Sequence, residues 1–160
     1  MGIRSIALLL VLTSCAAALA AQSPTPPVAA YKSNADIVAA LSSARAADAA
    51  AGAAVAVAPG ISVRKRSASD GAQYAIIHPF SSEVYYVIDG SATLVTGGVL
   101  DPPPPTPPTD PDIVRSTALK GGESRKVGKG DVVALQPGTP HWFASIDGAI
   151  TYLESRVRVK

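Results

Sequence analysis

The chain predicts an all-β barrel or sandwich preceded by one helix. Three observations lead there. From residue 53 onward, short β-branched and aromatic runs recur between Gly, Pro and Asp turn signals. Helical periodicity is confined to one alanine-rich stretch before them. The 160 residues, 48% hydrophobic and 16% charged, fit one domain with a core of its own.

Residues 1–20 read as a secretory signal. Arg4 supplies a positive start, and 6–12 is an apolar run too short to span a membrane as a helix. Ala18-Leu19-Ala20 offers small residues to a signal peptidase, so cleavage is expected after Ala20 and the product is periplasmic or secreted. The competing reading is Leu12-Thr13-Ser14-Cys15, which resembles a lipoprotein box and would anchor the chain at Cys15. The run 16–21 stays apolar beyond the cysteine and suits the first cut better. Cys15 is the single cysteine, so intrachain disulfides and a Cys-based zinc cluster are excluded. The 14 Lys+Arg against 12 Asp+Glu give a formal charge of +2, too small a surplus for a dedicated nucleic-acid binder.

Residues 21–32, with Pro24, Pro26 and Pro27, form an extended leader. Ser33 with Asp36 three positions on marks a helix start. Ile37, Val38, Leu41 and Ala44 then share a face at helical spacing. One helix is expected over about 34–50, filling the unit 33–52 with Ser33 and Gly52 at its ends. Its apolar face is thin, so it covers an edge of the domain.

The unit 53–160 is the β-domain. Strands are expected at 53–57 and 61–66, around a Pro59-Gly60 turn. Tyr74, Ile76 and His78 alternate with Ala75 and Ile77, as in a strand. Residues 83–88 form a dense strand that stops at Asp89-Gly90, a hairpin signal, with 91–96 returning. Residues 101–111 hold seven prolines and must form an exposed loop. Further strands are expected at 112–119, 123–127, 132–135, 141–146 and 149–159. Arg64 and Arg66, like Arg156, Arg158 and Lys160, read as a solvated outer strand face. Trp142 has the opposite parity to Phe143 and is expected to pack under the helix or a loop.

His78 and His141 are the only histidines, so imidazole chemistry must use them. His78 stands five residues before Glu83, across the turn-like Pro79-Phe80-Ser81-Ser82, and His141 opens a strand after a Pro137-Gly138 turn. Two imidazoles and a carboxylate near strand ends can converge on one face of a metal ion, the set favoured by non-haem Fe(II) and accepted by Mn, Zn or Ni. Tyr74, Ile76, Tyr85 and Phe143 share the parity of these residues and are expected to line a small substrate-binding pocket. Nucleophile elbows, Walker loops, dinucleotide fingerprints and His-Glu-x-x-His are absent.

The spacing resembles the cupin superfamily. His78, four residues, Glu83, six residues and Gly90 match its first motif, and Gly130, Gly138 and His141 match its second, with Gln136 where proline is usual. The resemblance runs over about 60–158. It implies a double-stranded β-helix, the jelly-roll barrel, with a divalent metal held by His78, Glu83 and His141 inside its mouth. The first histidine of the family pair would fall at residue 76, where this chain has Ile76. The resemblance implies a metal-dependent enzyme acting on a small molecule, of dioxygenase or isomerase type. The alternatives are a non-catalytic small-ligand-binding module and a protein-interaction barrel. A homodimer joined by strand exchange through 53–66 is compatible with each. No residue of a catalytic kind beyond the metal ligands stands out.

Overall fold

The computed structural model describes residues 27–44, 52–68, 74–104 and 111–159. The segment 1–20, expected as a signal, and most of the Pro-rich stretches lie outside them. The described residues form one helix and ten strands: α1 Asn34–Ser43, β1 Ala53–Ala58, β2 Ile61–Ser67, β3 Ala75–Ile77, β4 Ser81–Thr96, β5 Val99–Asp101, β6 Val114–Ser116, β7 Ala118–Lys120, β8 Glu123–Gly128, β9 Val132–Leu135 and β10 His141–Arg158. No helix among them is long and apolar enough to cross a membrane.

α1 starts where expected. Ser33 Oγ accepts from the Asp36 amide at 3.1 Å, and its hydroxyl donates to the Asp36 carboxylate at 2.7 Å. The helix stops earlier than expected, because Ala44 is already extended. Just before it, the Ser42 and Ser43 hydroxyls bond back to the Val38 and Ala40 carbonyls, a local competition that disfavours helix continuation. Residues 45–50 of the expected helix lie outside the described set. Ile37 and Leu41 sit over Val63, Ile88 and Thr151, so α1 lies against the outer face of β2, β10 and β4.

The barrel is organised by β4 and β10. They pair antiparallel over their whole length, from Ser81 opposite Arg158 to Thr96 opposite His141. The first half of β4 adds β9, and the matching half of β10 adds β2 and then β1. The second half of β4 adds β8, and its partner half of β10 adds β3 and then β6. Each long strand therefore passes from one sheet into the other. The result is the all-β double-stranded jelly-roll barrel with one N-terminal helix that the sequence implies. Tyr85, Val87, Leu94, Leu135, Phe143, Ile146, Ile150 and Tyr152 fill the space between the two sheets. β5 and β7 form a small separate ladder.

The hairpin expected at Asp89-Gly90 is not there. The chain continues through Gly90 as one bent strand, and the strands expected at 141–146 and 149–159 likewise merge into β10. Gly90 has φ 78°, and a Cβ on it would lie 1.9 Å from the Ala149 carbonyl oxygen. Opposite it the register skips between Asp147 and Ile150, at Gly148 with φ 68°. A left-handed glycine serves a bulge as well as a turn. Here β10 holds both halves of β4, so the chain bends and does not reverse. The segment expected as one strand over 112–119 breaks at Thr117, because β6 pairs with β3 and β7 with β5.

Gly90→Ala is expected to destabilise the fold by on the order of 3 kcal/mol, combining left-handed strain with the backbone clash. Gly148→Ala, whose added Cβ meets nothing within 4 Å, should cost only about 1 kcal/mol. Urea unfolding of the two variants separates these outcomes, and equal losses would refute the tight bend at Gly90.

Candidate metal centre

His78 follows the end of β3, Glu83 lies near the start of β4, and His141 opens β10. The Gly138 amide donates to the His78 carbonyl at 2.9 Å, so the turn that aims His141 is tied to the backbone of the other histidine. Asp112 holds the turn between His78 and Glu83. Its carboxylate accepts from the Phe80 amide and the Ser81 hydroxyl, both at 3.3 Å.

All three side chains are buried: His78 is 3% exposed, Glu83 1% and His141 4%. One potential ligand atom from each lies within 4.8 Å of the others. Glu83 Oε1 is 3.6 Å from His78 Nε2, and Oε2 is 3.2 Å from His141 Nε2. The Nδ1 of His78 lies 2.8 Å from the Asp112 carbonyl, and that of His141 3.0 Å from the Thr139 carbonyl. A carbonyl only accepts, so each Nδ1 carries a proton, and in the neutral tautomer this leaves the lone pair on Nε2. His78 Nε2 is buried with no hydrogen-bond partner in the structure. Buried polar atoms are rarely left so. A shared divalent ion would use this lone pair, and the donor set of two imidazoles and one carboxylate fits it. These residues can therefore hold a metal.

Burial pushes the His141 imidazole down to about 4, outweighing the Glu83 charge and the Thr139 carbonyl that favour protonation. His141 is thus neutral at pH 7, as a metal ligand must be. The Tyr85 hydroxyl lies 3.2 Å from Glu83 Oε2 and 3.1 Å from His141 Nε2. Burial, reinforced by the Glu83 charge, raises it well above the usual phenol range, so it stays protonated.

The four residues expected around a pocket, Tyr74, Ile76, Tyr85 and Phe143, all border a cavity of about 150 Å³ that also reaches His78 and His141. Ile76 pairs directly with His141 across the strands. One expectation narrows and one needs correction. Of its two expected places Trp142 does not take the one beneath α1 but borders this same cavity, beside Ile113 of the segment before β6. Arg64, Arg66 and Arg156 are not on a solvated face but in the cavity wall. Arg66 is 8% exposed. Arg158 does remain exposed.

Those arginines, with Glu154, are what sequence reasoning missed. Arg156 Nε donates to Glu83 Oε1 at 2.6 Å and its other arm reaches Glu154 at 3.2 Å. Glu154 in turn meets Arg64 Nε at 2.9 Å. The alternation Ile150, Tyr152, Glu154, Arg156 was the available signal. Two apolar residues followed by charges of the same parity place those charges on the buried side.

No family model and no curated protein matches the chain. Among solved structures it is similar to the DMSP lyase DddQ from Ruegeria pomeroyi DSS-3, at 20% identity over 62% of this chain and 38% of that one, with a TM-score of 0.40. It is also similar to a cupin protein from Bacteroides fragilis, at 16% identity over 62% of this chain and 67% of that one, with a TM-score of 0.39. A third is the CENP-C cupin domain of Drosophila melanogaster, at 14% identity over 77% and 98%, with a TM-score of 0.33. This chain thus spans well under half the length of the lyase. The likeness is one of fold.

Unfolded, His141 titrates near 6.5; folded, near 4. The unfolded chain therefore binds more protons between these values, and acidification through this window removes stability. Metal-free protein is expected to lose about 3 kcal/mol from this group between pH 7 and pH 4. Urea midpoints measured in chelator across that range, for the native chain and His141→Gln, check it. An unchanged slope in the variant would refute the assignment.

Proposed function

We propose that this chain is an exported cupin that holds a divalent metal ion through His78, Glu83 and His141 and acts on a small molecule in the adjoining cavity. The observation that carries the reading is the convergence of two Nε2 lone pairs and one carboxylate at a buried point. Bound there, the ion would serve as a Lewis acid or an activator of dioxygen. Iron, manganese, zinc and nickel all accept this donor set. The reaction class favoured by the resemblance is dioxygenase-like or isomerase-like.

The protein's own groups would divide the work. The Asp112 and Thr139 carbonyls orient the two imidazoles. The protonated Tyr85 hydroxyl can donate to Glu83 or to a bound ligand. Tyr74, Ile76 and Phe143 exclude water from one side of the cavity. Export rests on residues 1–20, with anchoring at Cys15 as the other route. A homodimer would form through the outer edge of β1, which among the described residues pairs with β2 alone.

A second reading is favoured by two observations. Ile76 stands where the resemblance places a fourth ligand, and Arg156 already neutralises Glu83 at 2.6 Å. An ion would share its carboxylate with a guanidinium and bind more weakly for it. A non-catalytic small-ligand-binding barrel would tolerate that.

Elemental analysis after incubation with Fe(II), Mn(II) and Zn(II) tests the metal. Native protein is expected to retain about one ion per chain, and His141→Ala to bind at least roughly tenfold more weakly. Equal metal in both would refute the ligand assignment. Ile76→His should tighten binding, because its side chain lies beside His141. Dioxygen uptake with phenolic or diketone substrates then separates the enzyme from the binding module.

A further inference from the structure

The outer faces of the two sheets differ in kind. Where β8, the second half of β4 and the matching half of β10 pair, the outward side chains are polar. Thr93 stands between Lys126 and Ser145, and Ser91 and Lys126 both bond to the Asp147 carboxylate. Where β9, the first half of β4, β10 and β2 pair, two cross-strand rows point outward. One runs Val132, Tyr86, Leu153 and Val63. The next runs Ala134, Val84, Ser155 and Ile61. Their parity is opposite to that of the buried Glu83, Tyr85 and Val87. None of these eight side chains carries a charge.

An antiparallel sheet with one face in water carries polar residues on that face. This sheet is apolar on both faces, so its outer face calls for cover. α1 supplies part of it: Val63, beneath Ile37 and Leu41, is 5% exposed. The rest stays open. Tyr86 is 45% and Val132 65% exposed, and Val84, Val157 and Ile61 are exposed with them. Four strands about 4.8 Å apart, over about six residues at about 3.3 Å each, make a face of roughly 20 by 20 Å, or about 400 Å². A contiguous apolar patch of a few hundred Å² is commonly an interaction site. It is also about the apolar half of the ~800 Å² that each partner gives to a stable interface. α1, with Val38 exposed beside the patch, extends it on one side.

We propose that a second copy of this chain covers this face, the two identical faces stacking about a two-fold axis with Tyr86 and Val132 in the contact. A surface that meets itself sets like against like. An uncharged one does so without repulsion and leaves no buried charge unpaired. Twisted sheets stack in this way with their facing side chains interdigitated. The contact is distinct from pairing at the outer edge of β1, which would lengthen the sheet and leave this face bare. It lies on the opposite side of the sheet from Glu83, so it stands apart from whether an ion is bound.

Sedimentation over about a hundredfold range of protein concentration tests it. Ala56→Lys charges the exposed edge strand β1 and blocks edge pairing. This variant is expected to remain a dimer. Adding Tyr86→Lys should raise its dissociation constant at least about tenfold. Adding Val132→Lys should do the same. Ser145→Lys, added instead on the polar sheet, should change nothing. Far-UV circular dichroism of each variant follows the barrel, and both test lysines replace exposed side chains. A monomeric Ala56→Lys protein would overturn the inference and leave the β1 edge as the site of any native dimer. A dimer undiminished by both test lysines, or one lost only together with the β-sheet signal, would overturn it as well.

Discussion

The centre of this molecule depends on one ladder, β4 against β10, being folded in half. In the pairing, Glu83 faces Arg156 near one end and Thr96 faces His141 at the other. Along a flat strand, the 13 steps from residue 83 to residue 96 would cover roughly 40 Å. Yet Glu83 and His141 approach to 3.2 Å. The bend at Gly90 and Gly148 closes that distance, by carrying both strands from one sheet into the other. Glycine at residue 90 is required because the β10 backbone passes where any Cβ would stand. Remove the bend and the two imidazoles and the carboxylate no longer share a point.

The same ladder sets the electrostatics. Glu83, Arg156, Glu154 and Arg64 alternate in sign across β4, β10 and β2, each within 3.2 Å of the next. Such a part-buried chain is worth little net stability against a well-packed apolar wall, but removing one member leaves an uncompensated charge. It orients the Glu83 carboxylate from one side while the imidazoles meet it from the other. An ion and Arg156 therefore draw on the same oxygens, and the affinity of one depends on the placement of the other. Tyr85 adds a neutral donor to this group, kept neutral by its burial.

Much of the fold was legible because its signals are local. Pro59-Gly60 ends one strand and starts another without help from the rest of the chain. Ser33 caps α1 through a residue three positions away. The alternation of Tyr85 and Val87 with Tyr86 and Ile88 separates the buried from the exposed face of β4. Asp89-Gly90 misled for a reason of the same kind. The left-handed glycine was real, but reversal or bending depends on what lies alongside, and that is β10, about sixty residues later. The arginines misled because alternating charges look alike on an outer face and in a polar cavity wall.

The sequence by itself determined the strand segments, the inward parity of residues 83, 85 and 87, and the standing of His78, Glu83 and His141 near strand ends. These follow from spacing and from backbone sterics within a few residues. Only the tertiary structure decided that the three side chains meet, that both rings present Nε2, and that Arg156 and Tyr85 share their carboxylate. Apart from the Thr139 carbonyl beside His141, those facts need groups brought together from distant segments, 34 residues apart for Asp112 and His78 and 73 for Glu83 and Arg156, and no local pattern encodes such a pairing.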